Sequence, residues 1–167
     1  AGQGTIGLEI FEELPDVDVV VTGTSGGGLL SGVACALKHL NPNIKIYGVN
    51  AEGAQAMRLS LVNDKPTPWP EINTIADGLT AAQPGNISFK HVKRYADDVV
   101  VVSDEEIKKA MMLMAERAKL VAEPAGAAAL AALLFNKIDV KGKKVVAMVS
   151  GGNVDLSLFA EIISQKR

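Results

Sequence analysis

The chain has 167 residues, a formal net charge of −2 and 48% hydrophobic side chains, which suits one domain with a sizeable core. The near-neutral balance argues against the basic stripe of a nucleic-acid binder, and no apolar run reaches membrane-spanning length. The single cysteine, Cys35, forms no internal disulfide and reads as a small buried hydrophobe, so a reducing, cytoplasmic compartment is expected.

In chain order, Ile6, Ile10 and Leu14 recur four apart among Glu9, Glu12 and Glu13, which predicts an amphipathic helix. Ala1–Leu8 has neither the basic start nor the apolar centre of a secretory leader. The chain lacks an initiating Met and opens beside a helix already under way, so a processed or truncated piece is expected. The β-branched run "DVDVVVTG" predicts a buried strand. Leu29, Leu30, Val33, Ala34, Leu37 and Leu40 predict a helix, stopped by Asn41-Pro42. A strand over Ile44–Asn50 and a helix over Ala54–Val62 follow, then a loop at Lys65–Pro70, which holds three prolines and Trp69. Thr74–Asn86 is punctuated by glycine and carries no clear period. His91 lies in a basic stretch with Lys90, Lys93 and Arg94 that reads as a solvated face.

The run "DDVVVVSDEEI" predicts a strand, with Ser103 and Glu106 spaced as a capping box. The helix they open repeats Ile107, Ala110, Met111, Met114 and Ala118. Pro124 suits the first turn of an alanine-rich helix reaching Phe135. "KKVVAMVSGGN" predicts another strand, and Leu156–Ile163 a last helix. Strands alternating with helices imply an α/β domain: a parallel sheet flanked by helices, spanning residues 1–167 without a linker or repeat.

Two glycine clusters fall at the carboxyl ends of predicted strands, Gly23–Gly28 and Ser150–Gly152, where open parallel sheets bind ligands. The first opens a helix, so its unpaired N–H groups and the positive end of the helix dipole can close on an anion. Thr24 and Ser25 add hydroxyl donors. Leu29-Leu30 stands where a Walker A loop needs Gly-Lys-Ser/Thr, which argues against ATP cradling. A dinucleotide fold is the nearer competitor. Gly26, Gly28 and Ser31 nearly fit Gly-x-Gly-x-x-Gly, but the third glycine is displaced to Gly32. Glu52 follows the next strand, which itself ends in Asn50 rather than an acid. Ordinary tight turns in an interaction domain remain a third reading. No Cys, His and carboxylate cluster has zinc spacing.

Six blocks in order, "AGQGTIGLEI", "SGGGLLSG", "TIADGL", "VSDEEI", "EPAGAAALAALL" and "VSGGNVDL", resemble the carboxyl-terminal half of the pyridoxal-phosphate-dependent threonine dehydratase and serine racemase family. The resemblance covers essentially the whole chain. It implies an incomplete large domain of the fold type II, tryptophan-synthase-β-like enzymes. It implies that Ser25, Gly26, Gly27, Gly28 and Leu29 hold the phosphate of pyridoxal phosphate, with Ser25 standing where the family commonly has glycine. Ser25 costs affinity there only if the site needs a positive φ.

The resemblance also gives Ser150 the pyridine nitrogen. A neutral hydroxyl there weakens the ring as an electron sink and favours β-elimination over transamination. Glu123 is either a carboxylate favoured by a helix start or a group facing the cofactor cleft. Gly78, after Asp77, is either a plain turn or part of a loop over the substrate. Asn50 and Ala56 replace acidic residues that help hold a divalent metal in serine-racemase-like members, so no metal is expected and dehydration is favoured over racemisation. The implied reaction converts L-threonine or L-serine to 2-oxobutyrate or pyruvate plus ammonia. The lysine that holds the cofactor lies in an upstream block which this chain lacks, so no catalytic residue is expected here and the isolated chain should be inactive. A small amino-acid substrate is expected, without nucleic acid or membrane. Homo-oligomerisation, or pairing with the missing amino-terminal half, is also expected.

Overall fold

Five consecutive residues without a charge, Val19–Gly23, are all buried and form β1. In a computed structural model, which describes residues 1–164, β1 lies inside a four-stranded sheet with the order β3-β2-β1-β4. β2 is Lys45–Ala51, β3 Asp98–Val102 and β4 Val145–Ala147. All three pairings are parallel, with Val21 opposite Tyr47 and Ala147, and Gly48 opposite Val99. The chain steps outward from β1 to β3, then returns to place β4 on the other side of β1. That reversal makes the β1–β4 gap a topological switch point.

The pleat sorts side chains between two cores. Val19 and Val21, Val49 and Ala51, and Val102 face one core, while Val20, Ile46 and Val99 face the other. The second core is covered by α1 (Gly4–Glu13), α2 (Gly28–Leu40), α3 (Ala56–Val62) and α4 (Asn86–Tyr95). The first is covered by α5 (Asp104–Leu113), α6 (Pro124–Leu134) and α7 (Leu156–Ser164). α6 has Pro124 at its first turn, and Ala127, Ala128, Ala129, Ala131 and Ala132 have no exposed surface. A helix apolar all round belongs inside, and small side chains let α6 lie close to β1.

Ser103 and Glu106 form the expected capping box: the Ser103 Oγ accepts the Glu106 N–H, and Glu106 Oε2 accepts the Ser103 N–H at 2.8 Å. Two elements differ from the sequence expectation. α4 occupies the basic stretch, with Phe89 and Val92 buried and Ile87 76% exposed. The helix expected to run through Ala118 instead widens into a π-helical turn at Met114–Ala118 and ends with Lys119 left-handed, φ 58°.

Asp97 pins the amino ends of β2 and β3. Its carboxylate meets Lys38 at 2.9 Å and Lys45 at 2.8 Å and accepts the Ile46 N–H at 2.9 Å. Partial burial pushes its pKa up, but the hydrogen bonds from Lys38, Lys45 and Ile46 outweigh this and hold it below the usual carboxylate value.

Candidate functional site

A cleft of about 650 Å³ opens at the carboxyl ends of β1 and β4, the switch point of the sheet. Its lining brings together every residue the sequence singled out for the cofactor: Ser25, Gly26, Gly27, Gly28 and Leu29 from the first glycine turn and Ser150 from the second, with Gly78 and Glu123 between. Gln3, Ile6, Thr24, Leu79, Ala125, Met148 and Val149 complete much of the wall. Sequence reasoning gave the hydrophobic ones no role, because apolar cleft walls and core share one residue vocabulary.

The first turn carries the features an anion cradle needs. Gly27 is the N-cap of α2 and has φ 89°, a left-handed conformation that turns the chain from β1 into the helix. Among the described residues, the N–H groups of Gly26, Gly27, Gly28 and Leu29 have no hydrogen-bond partner. They sit at the positive end of the α2 dipole. A Cβ on Gly28 would meet nothing within 4 Å, so the fold itself does not need a glycine there. The bare backbone leaves room for something else. Ser25 has no positive φ, so the serine is unstrained. Its Oγ accepts the Ala81 N–H at 2.7 Å, which leaves its proton to donate. Thr24 is 2% exposed, and its Oγ1 is buried without a partner, as a donor awaiting an acceptor would be.

Asn50 explains how the cradle is held. It is fully buried; its Nδ2 donates to the Thr24 carbonyl at 2.8 Å and its Oδ1 accepts the Arg58 N–H at 3.0 Å. Both ends of the amide are used to tie Thr24, just past β1, to α3, and Asn50 itself does not line the cleft. Glu52 lies outside the cleft as well, in a separate dip with Asp104 and Glu105. Neither therefore stands where a dinucleotide fold needs its ribose anchor.

Glu123 combines its two expected placements. It is the N-cap of α6 and also lines the cleft. Its Oε2 accepts the Asn153 N–H at 2.9 Å, and its N–H donates to the Gly151 carbonyl at 3.1 Å. A Cβ on Gly151 would lie 2.5 Å from Glu123 Oε1, so that glycine is what lets the carboxylate close against the second turn. Gly78 gives its N–H to Asp77 Oδ1 at 2.7 Å, which leaves its carbonyl. Among the described residues that line the cleft, Glu123 is the one charged side chain, and none is a lysine or arginine. An anion here would be met by neutral donors and the helix dipole rather than by a lysine or arginine.

The family described as "Pyridoxal-phosphate dependent enzyme" matches residues 1–151. An L-threonine ammonia-lyase of Thermotoga maritima is 49% identical over 165 residues, covering 99% of this chain and 41% of that protein. The catabolic L-threonine dehydratase TdcB of Escherichia coli K12 is 44% identical over 164 residues, covering 97% and 50%. Among solved structures, maize serine racemase superposes with a TM-score of 0.89 at 41% identity, covering 96% of this chain and 52% of that one. A serine racemase from Dictyostelium discoideum gives 0.86 at 43%, covering 93% and 50%. The chain spans about half the length of these relatives.

Proposed function

The chain belongs to the pyridoxal-phosphate-dependent enzymes, and on that premise we propose that it forms the phosphate-holding part of an L-threonine or L-serine ammonia-lyase. The observation that carries this reading is the cradle. Four consecutive unpartnered N–H groups, the orphaned Thr24 hydroxyl and the open space over Gly28 fit a phosphomonoester dianion. Ser150, which lies past the end of β4 and lines the same cleft, is suited to the ring nitrogen. Bound there, pyridoxal phosphate supplies the electron sink for loss of the α-proton and the β-hydroxyl.

The chain's own residues bind and orient. Gly26–Leu29 fix the phosphate, Ser150 offers a neutral hydroxyl, and Glu123 holds the Gly151–Asn153 turn that carries the chain on from Ser150. Among the described residues no lysine lines the cleft, so we assign the covalent hold on the cofactor, and the proton transfer, to a lysine outside these 167 residues. The isolated chain is then inactive. Racemisation of serine is the second reading, supported by the 41% identity to maize serine racemase. Against a metal-assisted version of it, both ends of the Asn50 amide are occupied and Ala56 offers no ligand atom.

The test is turnover by the full-length protein loaded with pyridoxal phosphate. Ammonia and 2-oxobutyrate from L-threonine, or pyruvate from L-serine, are expected, with no turnover by the 167-residue chain alone. D-Serine formed faster than pyruvate would move the assignment to a racemase. No cofactor uptake at all would overturn it.

A further inference from the structure

Ser25 connects the cradle to the segment that leads into α4. Its Oγ accepts the Ala81 N–H at 2.7 Å, and the neighbouring Gly26 carbonyl accepts the Gly85 N–H at 3.3 Å. A Cβ on Gly26 would stand 3.6 Å from the Ala81 Cβ, so segment 80–85 lies directly against the cradle. This segment follows the short turn at Asp77–Leu79, whose Gly78 and Leu79 line the cleft. Farther along, the Ala82 carbonyl accepts the Trp69 N–H at 2.8 Å, which extends the same layer into the proline loop. Strap 80–85 is therefore fastened to the cradle at two points, and one of them is a side chain that also lines the cleft.

A serine hydroxyl has one proton and two lone pairs. Ala81 takes a lone pair, and among the described residues nothing takes the proton. We infer that Ser25 is a positioning residue that couples anion occupancy of the cradle to fastening of segment 80–85. When its proton is donated to an anion, the oxygen becomes a better acceptor for the Ala81 N–H, because donation and acceptance through one hydroxyl reinforce each other. An occupied cradle thus holds the strap, and with it Gly78 and Leu79, more firmly than an empty one. No covalent bond changes. The inference rests on the phosphate reading of the cradle and adds to it a consequence at residues that do not touch the phosphate.

Hydrogen exchange followed by mass spectrometry tests this on the full-length protein, stripped of cofactor and then given pyridoxal phosphate or inorganic phosphate alone. Peptides covering 26–29 and 80–85 are the readout. Either ligand should slow exchange in both, by roughly tenfold in 80–85, with one midpoint in a phosphate titration. Ser25→Ala should keep the slowing at 26–29 and lose it at 80–85, and Ser25→Thr should restore it. Slowing of 80–85 in Ser25→Ala equal to that of the parent protein would overturn the coupling. So would slowing confined to 26–29 in the parent protein, a result that leaves the phosphate site standing. No slowing in either peptide overturns the coupling and the phosphate reading together. Where Ser25→Ala does not fold, slowing confined to 26–29 in the parent protein still overturns the coupling, and Ser25→Thr and Ser25→Gly, compared at 80–85, decide whether the hydroxyl carries it.

Discussion

Gly27 and Gly28 are neighbours with different reasons to be glycine. At Gly27 the φ of 89° excludes an ordinary side chain, and a Cβ would strike Met57 Cε. Gly27→Ala should cost about 1–2 kcal/mol from the backbone alone and weaken the cofactor as well. At Gly28 there is neither strain nor a neighbour, so Gly28→Ala should leave the melting temperature nearly unchanged while pyridoxal phosphate affinity falls. Thermal melts paired with cofactor titrations check this, and equal losses of stability in the two variants would refute it. The sequence made the cluster visible, because three adjacent glycines after an apolar strand are a local signal. It did not distinguish their roles, since those depend on Met57 and on the space above α2. Asn50 was legible only as the absence of an acid. Its actual work, bridging the Thr24 carbonyl and the Arg58 N–H, joins residues far apart in the chain and leaves no local pattern.

Among the elements, those with a local sequence signature were readable: the valine runs of β1 and β3, the Ser103 capping box and the alanine-rich α6. α4 was not, because only Phe89 and Val92 are buried from it and Gly85 starts it without a side-chain cap. Two apolar contacts three residues apart make too weak a stripe to stand out from a basic surface run. The π-helical turn at Met114–Ala118 was equally hidden: the apolar repeat runs on to Ala118 in the sequence, but the widened turn keeps Met114 buried and leaves Ala118 exposed. α6 supplies the sharpest prediction at this scale. Ala128 has no exposed surface and lies in a stretch of α6 buried from Pro124 to Ala129, so Ala128→Leu should destabilise by about 1–3 kcal/mol through overpacking. A urea midpoint equal to that of the parent protein would show that the layer between α5 and β1 has slack the packing does not suggest.

At the scale of the whole molecule, Asp97 links pH to stability. Its folded pKa lies below the ordinary aspartate value of 3.8, so its contribution is present above that value and is lost as pH falls through the lower, folded pKa. Asp97→Asn should cost about 1 kcal/mol near neutral pH, and the difference from the parent protein should shrink below pH ~4. Denaturant midpoints across that range measure it; a constant difference would assign the effect to shape rather than charge. The strand order has a further consequence, for the time at which the site comes together. β1, β2 and β3 pair through residues no later than Val102, while β4 reaches β1 from Val145–Ala147. Contacts that distant in sequence are the slow ones to form. During synthesis the glycine cradle can therefore be complete, and open to a phosphate, before Ser150 has left the ribosome. The two walls of the cleft are assembled in order, and an anion held by the first can already stabilise the nascent chain.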